Sequence, residues 1–304
     1  MVEIDSIGNS GSGATSVLPV ATAADGSVVP ATDTRSSGRR RGIPPVVGRV
    51  SLRVLSLAVL LGLWWLVVAL KVWPELFVPS PAHVWDRFVD SVTTHDGQRG
   101  LSGYYLWEHL WASLERILQG VGLAIVFGVV LGLLLATVKP FQVIVEPYVN
   151  FVRALPPLAY FSLLIIWFGI ENESKVWLLF LAAFAPIALS VASGVRGVRP
   201  ERIDAARALG ANRWQVVRFV QMPSVLPELF TGIRLSLGFA WTTIVAAETV
   251  DGIPGIGGLA WATKKFQQTD VAVLCIIVIG IVAIALDQLI KALENRVVPW
   301  RGKA

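Results

Sequence analysis

The chain has 304 residues, of which Ala, Val, Ile, Leu, Met, Phe, Trp, Tyr and Cys make up 54%, with 27 glycines besides. Charged residues are only 15% and mean hydropathy is +0.64, against a charged share of roughly 25% in soluble domains, which excludes a disordered chain and an ordinary soluble enzyme. The net charge of +5 is gathered in particular segments, so it reports membrane topology and not nucleic-acid binding.

Residues 1–42 are rich in Ser, Gly, Ala and Thr and end near the basic cluster Arg39-Arg40-Arg41. They carry too little apolar surface to fold, and no short apolar run precedes the cluster as it would in a cleavable signal peptide. They read as a disordered tail with a topogenic anchor. A bilayer core about 30 Å thick takes roughly 20 apolar helical residues. Six stretches meet or approach that length: 54–70, 117–138, 154–170, 176–195, 235–247 and 271–286. Residues 43–304 therefore read as an all-α, polytopic membrane bundle of about six transmembrane helices. The fifth stretch is short, and 141–152, with Glu146 and Pro147 inside it, is a candidate for the first turns of a longer, broken third helix.

With the N-terminus in the cytoplasm, segments 1–53, 139–153, 196–231 and 291–304 lie inside and carry eighteen Lys/Arg, whereas 71–116, 171–175 and 250–270 lie outside and carry seven. The positive-inside rule then puts both termini in the cytoplasm, in keeping with an even number of spans. On the outer side, Ser80 reads as an N-cap before Pro81, and Val84, Phe88 and Val92 fall on one helical face. Leu106, Leu110, Trp111 and Leu114 repeat that pattern ahead of the second span, with Glu108, His109, Glu115 and Arg116 more polar. Both segments read as interfacial helices or as a docking surface for an external partner.

The cytoplasmic loop 196–231 is the most structured of the connections. Pro200 starts a helix at Glu201 with Ile203, Ala206 and Leu209 on one stripe, and Gly210 is placed to end it in the left-handed conformation. Asn212 caps a second short helix with Gln215 as its capping-box partner, and Trp214, Val217 and Val220 give that helix an apolar side before Pro223 stops it. The result is a compact two-helix knob ringed by arginines.

Ionisable residues in or near spans are candidates for function. Glu146, Arg234, Glu248 and Asp287 qualify; Arg234 and Asp287 lie near cytoplasmic ends where they can snorkel, and Glu248 either lines a path or caps the turn after it. Trp241, Thr242 and Thr243 suit a weakly polar conduit, and Pro156-Pro157 would break the third helix and free carbonyls beside a cavity. No G-x-x-x-x-G-K-[ST] loop is present, so ATP phosphates have no cradle here. The run GIGGLA at 255–260 follows an apolar helix, not a strand, and reads as a turn. His83, His95 and His109 lack zinc-ligand spacing, and the lone Cys275 offers neither a disulfide nor a cysteine metal site.

The run DAARALGANRWQVVRFVQMP at 204–223 resembles the cytoplasmic signature of binding-protein-dependent ABC-transporter permeases. That signature reads Glu-Ala-Ala, three residues, Gly, nine residues, Ile-x-Leu-Pro; here Asp, Val and Met replace its Glu, Ile and Leu. The resemblance implies a type I ABC importer permease fold without catalysis or cofactor of its own. It also implies that the knob inserts into a separate ATPase through Glu201, Asp204, Ala205, Ala206, Arg207, Gly210 and Pro223, with Asp204 one methylene shorter than the family's Glu. The implied partners are two ATPase copies, a second permease copy, an external solute-binding protein and membrane lipid. LFVPSP, RALPPLAYFSLLIIWFGIENESK, FAPIALS and TTIVAAE are similar to the branch that imports taurine, alkanesulfonates and nitrate. Within it, LWEHLWASLERI, the FGI-x-x-x-SK turn and VPWRG look most like taurine-importer permeases. Taurine is thus the expected substrate, with alkanesulfonates or nitrate as alternatives, and a channel without an ATPase as the rival from another class. A sulfonate zwitterion is strongly hydrated and the spans offer few fixed charges, so the expected path is of low affinity, with capture left to the external protein.

Overall fold

The computed structural model describes residues 45–95 and 97–300; the tail expected over 1–42 lies outside the described residues. Two compact units emerge, residues 1–57, whose described part is the first half of one helix, and residues 58–304, which hold the rest. The first elements are α1 (Pro45–Ala69), α2 (Pro81–Val92), the antiparallel hairpin β1 (Thr94–His95) and β2 (Gln98–Arg99), and α3 (Leu106–Thr137). Next come α4 (Lys139–Ala154), α5 (Pro157–Phe168), α6 (Asn172–Arg196), α7 (Pro200–Ala208) and α8 (Arg213–Val216). A π turn, Val217–Gln221, joins α8 to α9 (Met222–Asp251), followed by α10 (Ile256–Phe266) and α11 (Thr269–Val297). The fold is an all-α membrane bundle. Among the described residues five helical stretches are long and apolar enough to cross a bilayer, and α4 with α5, bent by 97° at the break between them, raises the number to six if the pair counts as one span.

That break corrects the third expected span. Leu155 and Pro156 are extended, since a residue before proline is driven out of the helical region. The 12 residues of α5 rise only about 18 Å, too short for a bilayer core, so a full crossing needs α4 as well. The second expected span, by contrast, is longer than its apolar run: the 32 residues of α3 absorb the segment 106–116 that reads as a separate interfacial helix. Pro223 does not stop a helix either. The π turn shifts the hydrogen-bond register ahead of it, and Pro223 sits in the first turn of α9, where its missing N–H costs nothing.

Helix α6 is the centre of the bundle, with Leu178, Leu179, Ala183, Ile187, Ala188 and Val191 all fully buried. Its approach to α3 depends on a stripe of small residues at four-residue spacing: Gly120, Ala124, Gly128 and Gly132 are all buried. A Cβ at Gly132 would stand 2.5 Å from the carbonyl oxygen of Ala188, and one at Gly120 would stand 2.5 Å from Leu179 Cβ. On its other side α6 meets α9, where Gly232 lies against Ser190. Gly132→Leu is therefore expected to push α3 off α6 at a cost of about 1–3 kcal/mol, read as a lower thermal midpoint of the detergent-purified protein.

The Ser80 hydroxyl accepts the His83 N–H at 3.2 Å and Pro81 opens α2, as its sequence indicates. Its apolar face turns inward, with Val84 buried and Phe88 and Val92 packed on the main core. Arg87 Nε donates to Asp270 Oδ2 at 2.7 Å, fastening α2 to the start of α11, and that bond raises the Arg87 pKa above its ordinary value. The helix α10 has no counterpart in the sequence reading, which leaves 250–270 as a plain outer loop.

Candidate functional site

Three features stand out along the axis of α6. At its C-terminal end is the knob. Glu201 lies in the first turn of α7 and Arg207 in its last, each favoured by the helix dipole. Gly210 takes φ +84, and the N–H groups of Gly210 and Ala211 donate to Arg207 and Ala206 carbonyls at 2.9 and 3.1 Å, a complete Schellman ending. Asn212 Oδ1 then accepts the Gln215 N–H, and Gln215 Oε1 the Asn212 N–H, both at 2.8 Å. The turn is fixed by contiguous residues alone.

Ile203 and Ala206 lie half-buried on the inner side of the knob, whereas Glu201, Asp204, Ala205, Arg207 and Gly210 are exposed and Pro223 is half-buried. Of the apolar side expected on the second helix, Val217 and Val220 are half-buried and Trp214 is not. Trp214 is 71% exposed on α8, a single turn whose one buried residue is Val216, and Phe219 in the π turn and Leu209 at the end of α7 are 71% and 89% exposed. The Asp204–Arg207 ion pair, 3.7 Å long and exposed, contributes at most about 1 kcal/mol and leaves both charges available to a partner. A shallow hollow between Ala206, Gly210, Gln215 and Phe219 completes a surface suited to another protein.

Beside the middle of α6 is a cleft of about 590 Å³. Its walls come from Arg153 and Pro157 at the α4–α5 break, Tyr160 on α5, Pro186 on α6 and Phe239 on α9. Pro186 has no N–H, so the Ala182 carbonyl beside it in the same wall lacks its usual donor. Of the residues expected along a pathway, Pro157 lines this cleft, Pro156 is exposed next to it, and Thr242 is exposed on α9. Trp241, Thr243 and Glu248 are not there. All three are buried, Trp241 in the core with Ala240 and Ile244, so they face helix packing and not open space.

Glu248 belongs instead to a clasp at the N-terminal end of α6, about 37 Å from the knob by the rise of 25 residues. Arg116 Nη1 donates to Glu248 Oε1 at 2.6 Å, with the two side chains 9% and 0% exposed. The remaining donors of Arg116 reach Asn172 Oδ1 at 2.7 Å and the Pro254 carbonyl at 3.0 Å, so one guanidinium joins α3, α6 and the turn after α9. Ser113 Oγ donates to the Glu248 carboxylate, 2.7 Å from Oε1 and 2.9 Å from Oε2, and accepts the Ile256 N–H at 2.9 Å. The Gly257 N–H donates to Glu248 Oε2 at 2.8 Å. His109 completes the set with Nε2 donating to the Leu101 carbonyl and Nδ1 accepting the Gly255 N–H, each at 3.1 Å.

The GIGGLA run is the wrapper of this carboxylate. A Cβ at Gly255 would stand 2.8 Å from Glu248 Oε1, and one at Gly257 would stand 2.6 Å from the Val245 carbonyl oxygen. Of the two readings of Glu248, a path-lining group or a cap for the turn that follows, the second is the one observed. His109 and Arg116, expected on a polar outer face, are buried. One signal for them was present: 109, 113 and 116 fall on one helical face, and that face continues as the small-residue stripe from Gly120. Arg234 pairs with Asp287 at 2.8 Å and Arg196 with Glu146 at 3.0 Å, so the other ionisable candidates are tied to neighbouring helices.

A family model described as the binding-protein-dependent transport system inner membrane component matches residues 124–299. The taurine transport system permease protein of Escherichia coli K12 is 40% identical over 85% of this chain and 93% of its own length. A Bacillus subtilis permease protein for aliphatic sulfonates transport is 31% identical over 81% of this chain and 86% of its own. The nitrate import permease protein of Leptolyngbya laminosa is 30% identical over 87% and 90%. Chains of the MetNI methionine ABC transporter in inward-facing conformations give TM-scores of 0.51 and 0.50 at 22% and 23% identity. They cover 64% and 62% of this chain and 94% and 96% of their own, and show the fold. Each of these names describes a transport subunit and not an enzyme. Matched by the family model over more than half of its length, the chain belongs to the binding-protein-dependent inner membrane components, the multi-pass permease subunits of ABC importers.

Proposed function

We propose that this permease imports taurine, 2-aminoethanesulfonate, as one half of a homodimer embedded in membrane lipid. A cytoplasmic ATPase grips each knob and an external solute-binding protein delivers the substrate. Residues 43–304 form the transport domain, with loop 196–231 as its coupling element and both termini inside, in keeping with the excess of Lys/Arg on that side. One observation carries the substrate: identity to the taurine permease is 40%, against 31% and 30% to the aliphatic-sulfonate and nitrate permeases.

The coupling role rests on the chemistry of the knob. Leu209, Trp214 and Phe219 offer apolar contacts to a protein groove, and Ala205 and Ala206 allow close approach. Arg207 and its neighbours Arg199 and Arg202 suit charge-assisted bonds to acidic groups, with Glu201 and Asp204 supplying the opposite charge. Gly210 sets the angle between α7 and α8, and Pro223 the restart of α9. ATP binding closes the ATPase pair and draws the two knobs together; hydrolysis lets them part, and the bundles follow as rigid bodies. Substrate passes the α4–α5 break at Pro156-Pro157 and the exposed side of α9 at Thr242.

A strain lacking this gene is expected to fail to grow on taurine as sole sulfur source, while its uptake of methanesulfonate and nitrate stays normal. Normal taurine uptake in that strain, with methanesulfonate or nitrate uptake lost, would overturn the assignment of taurine.

A further inference from the structure

Ionisable side chains inside a membrane bundle tend to pair with one another, and three such pairs tie helices of this chain together. Arg116 is bound to Glu248, Arg196 to Glu146 and Arg234 to Asp287. The cleft gathers two charges that are not tied in this way. Arg153 and Glu228 are the two charged residues in its lining, and among the described residues neither has an ion-pair or side-chain hydrogen-bond partner. Glu228 is held against α6: a Cβ at Gly194 would stand 3.0 Å from Glu228 Cβ, so only glycine there lets the carboxylate stem approach this closely. Ser190 and Ser193, three residues apart on α6, add hydroxyls to the same wall. Thr231 spends its proton on the Pro227 carbonyl at 2.9 Å and so presents lone pairs to the cleft. The volume of about 590 Å³ lies in the range of small-molecule sites.

We propose that this cleft is a weak, transient site for a small zwitterion, with Arg153 facing its anionic group and Glu228 its ammonium. An unpaired cation and an unpaired carboxylate in one cavity complement a molecule that carries both charges. A simple anion would gain Arg153 but meet the Glu228 carboxylate, so the site disfavours methanesulfonate and nitrate. Exposure keeps both charges partly hydrated, which holds affinity low and permits release. The inference deepens the import of taurine proposed above and rests on it for the choice of ligand.

The test uses the whole permease–ATPase complex in lipid nanodiscs, without the external binding protein, and measures binding of taurine, methanesulfonate, ethylamine and β-alanine. Wild type is expected to bind taurine more tightly than either single-charge compound. Glu228→Gln is expected to weaken taurine about tenfold while methanesulfonate binds as well or better, and Arg153→Gln to weaken both sulfonates about tenfold. Glu228→Asp and Arg153→Lys keep the charges and should hold taurine within about threefold of wild type. These two variants also cover the case in which a charge-removing one fails to assemble. Taurine affinity unchanged by both charge removals, or lost equally in the charge-retaining variants, overturns the site. If wild type binds β-alanine but no taurine, the zwitterion site stands and taurine falls as its ligand. If cells need the gene for growth on taurine yet the variants bind like wild type, the import reading stands and the site falls.

Discussion

Arg116→Met is expected to cost about 3–5 kcal/mol of stability, because it leaves the buried Glu248 carboxylate without its paired cation. The loss is larger than that of one contact, since the same guanidinium also serves Asn172 and the Pro254 carbonyl. Three elements should loosen together: the start of α3, the start of α6 and the turn into α10. Glu248→Leu alone should be equally damaging, because it strands the cation and leaves the Gly257 N–H without an acceptor. The double variant removes both charges and is expected to recover more than half of the loss. Thermal unfolding of the four proteins in detergent closes the cycle. Equal midpoints for wild type and Arg116→Met would show that the pair does not hold the bundle.

The legible parts of this molecule are those in which neighbouring residues settle the outcome. The knob is the clearest case: Gly210, Asn212 and Gln215 lie within six positions, and their turn closes with bonds that a chain reader can write down in advance. Span positions follow from apolar length, and the Ser80-Pro81 start of α2 from capping chemistry. What was illegible depends on residues far apart. Arg116 and Glu248 are 132 positions from one another, and each by itself looks like an interfacial charge. The helix α10 hides in a run whose glycines read as a turn; they are required because the Glu248 carboxylate and the Val245 carbonyl leave no room for a Cβ. Trp214 gives its short helix an apolar side that contiguous residues foretell, but that the chain leaves it 71% exposed is settled by the tertiary packing around α8.

The same surface sets the second large effect. Gly210→Val is expected to reach the membrane in normal amounts and to lose transport by more than about tenfold. Space is not the obstacle, since nothing lies within 4 Å of a Cβ built at Gly210. Conformation is. At φ +84 an L side chain costs roughly 1–2 kcal/mol, and a β-branched one is the least tolerant. That is enough to shift the α7 ending away from its Schellman bonds while leaving the buried bundle untouched. The knob would then present Leu209 and Arg207 at the wrong angle to the ATPase, so ATP hydrolysis and uptake part company. Gly210→Asn separates this account from a simple loss of smallness, because asparagine accepts the left-handed region while adding more atoms than alanine. Asn is expected to keep most of the uptake, and Val to retain ATPase binding on co-purification but not substrate-stimulated hydrolysis. Wild-type uptake by the Val variant would mean that the bend between α7 and α8 transmits nothing.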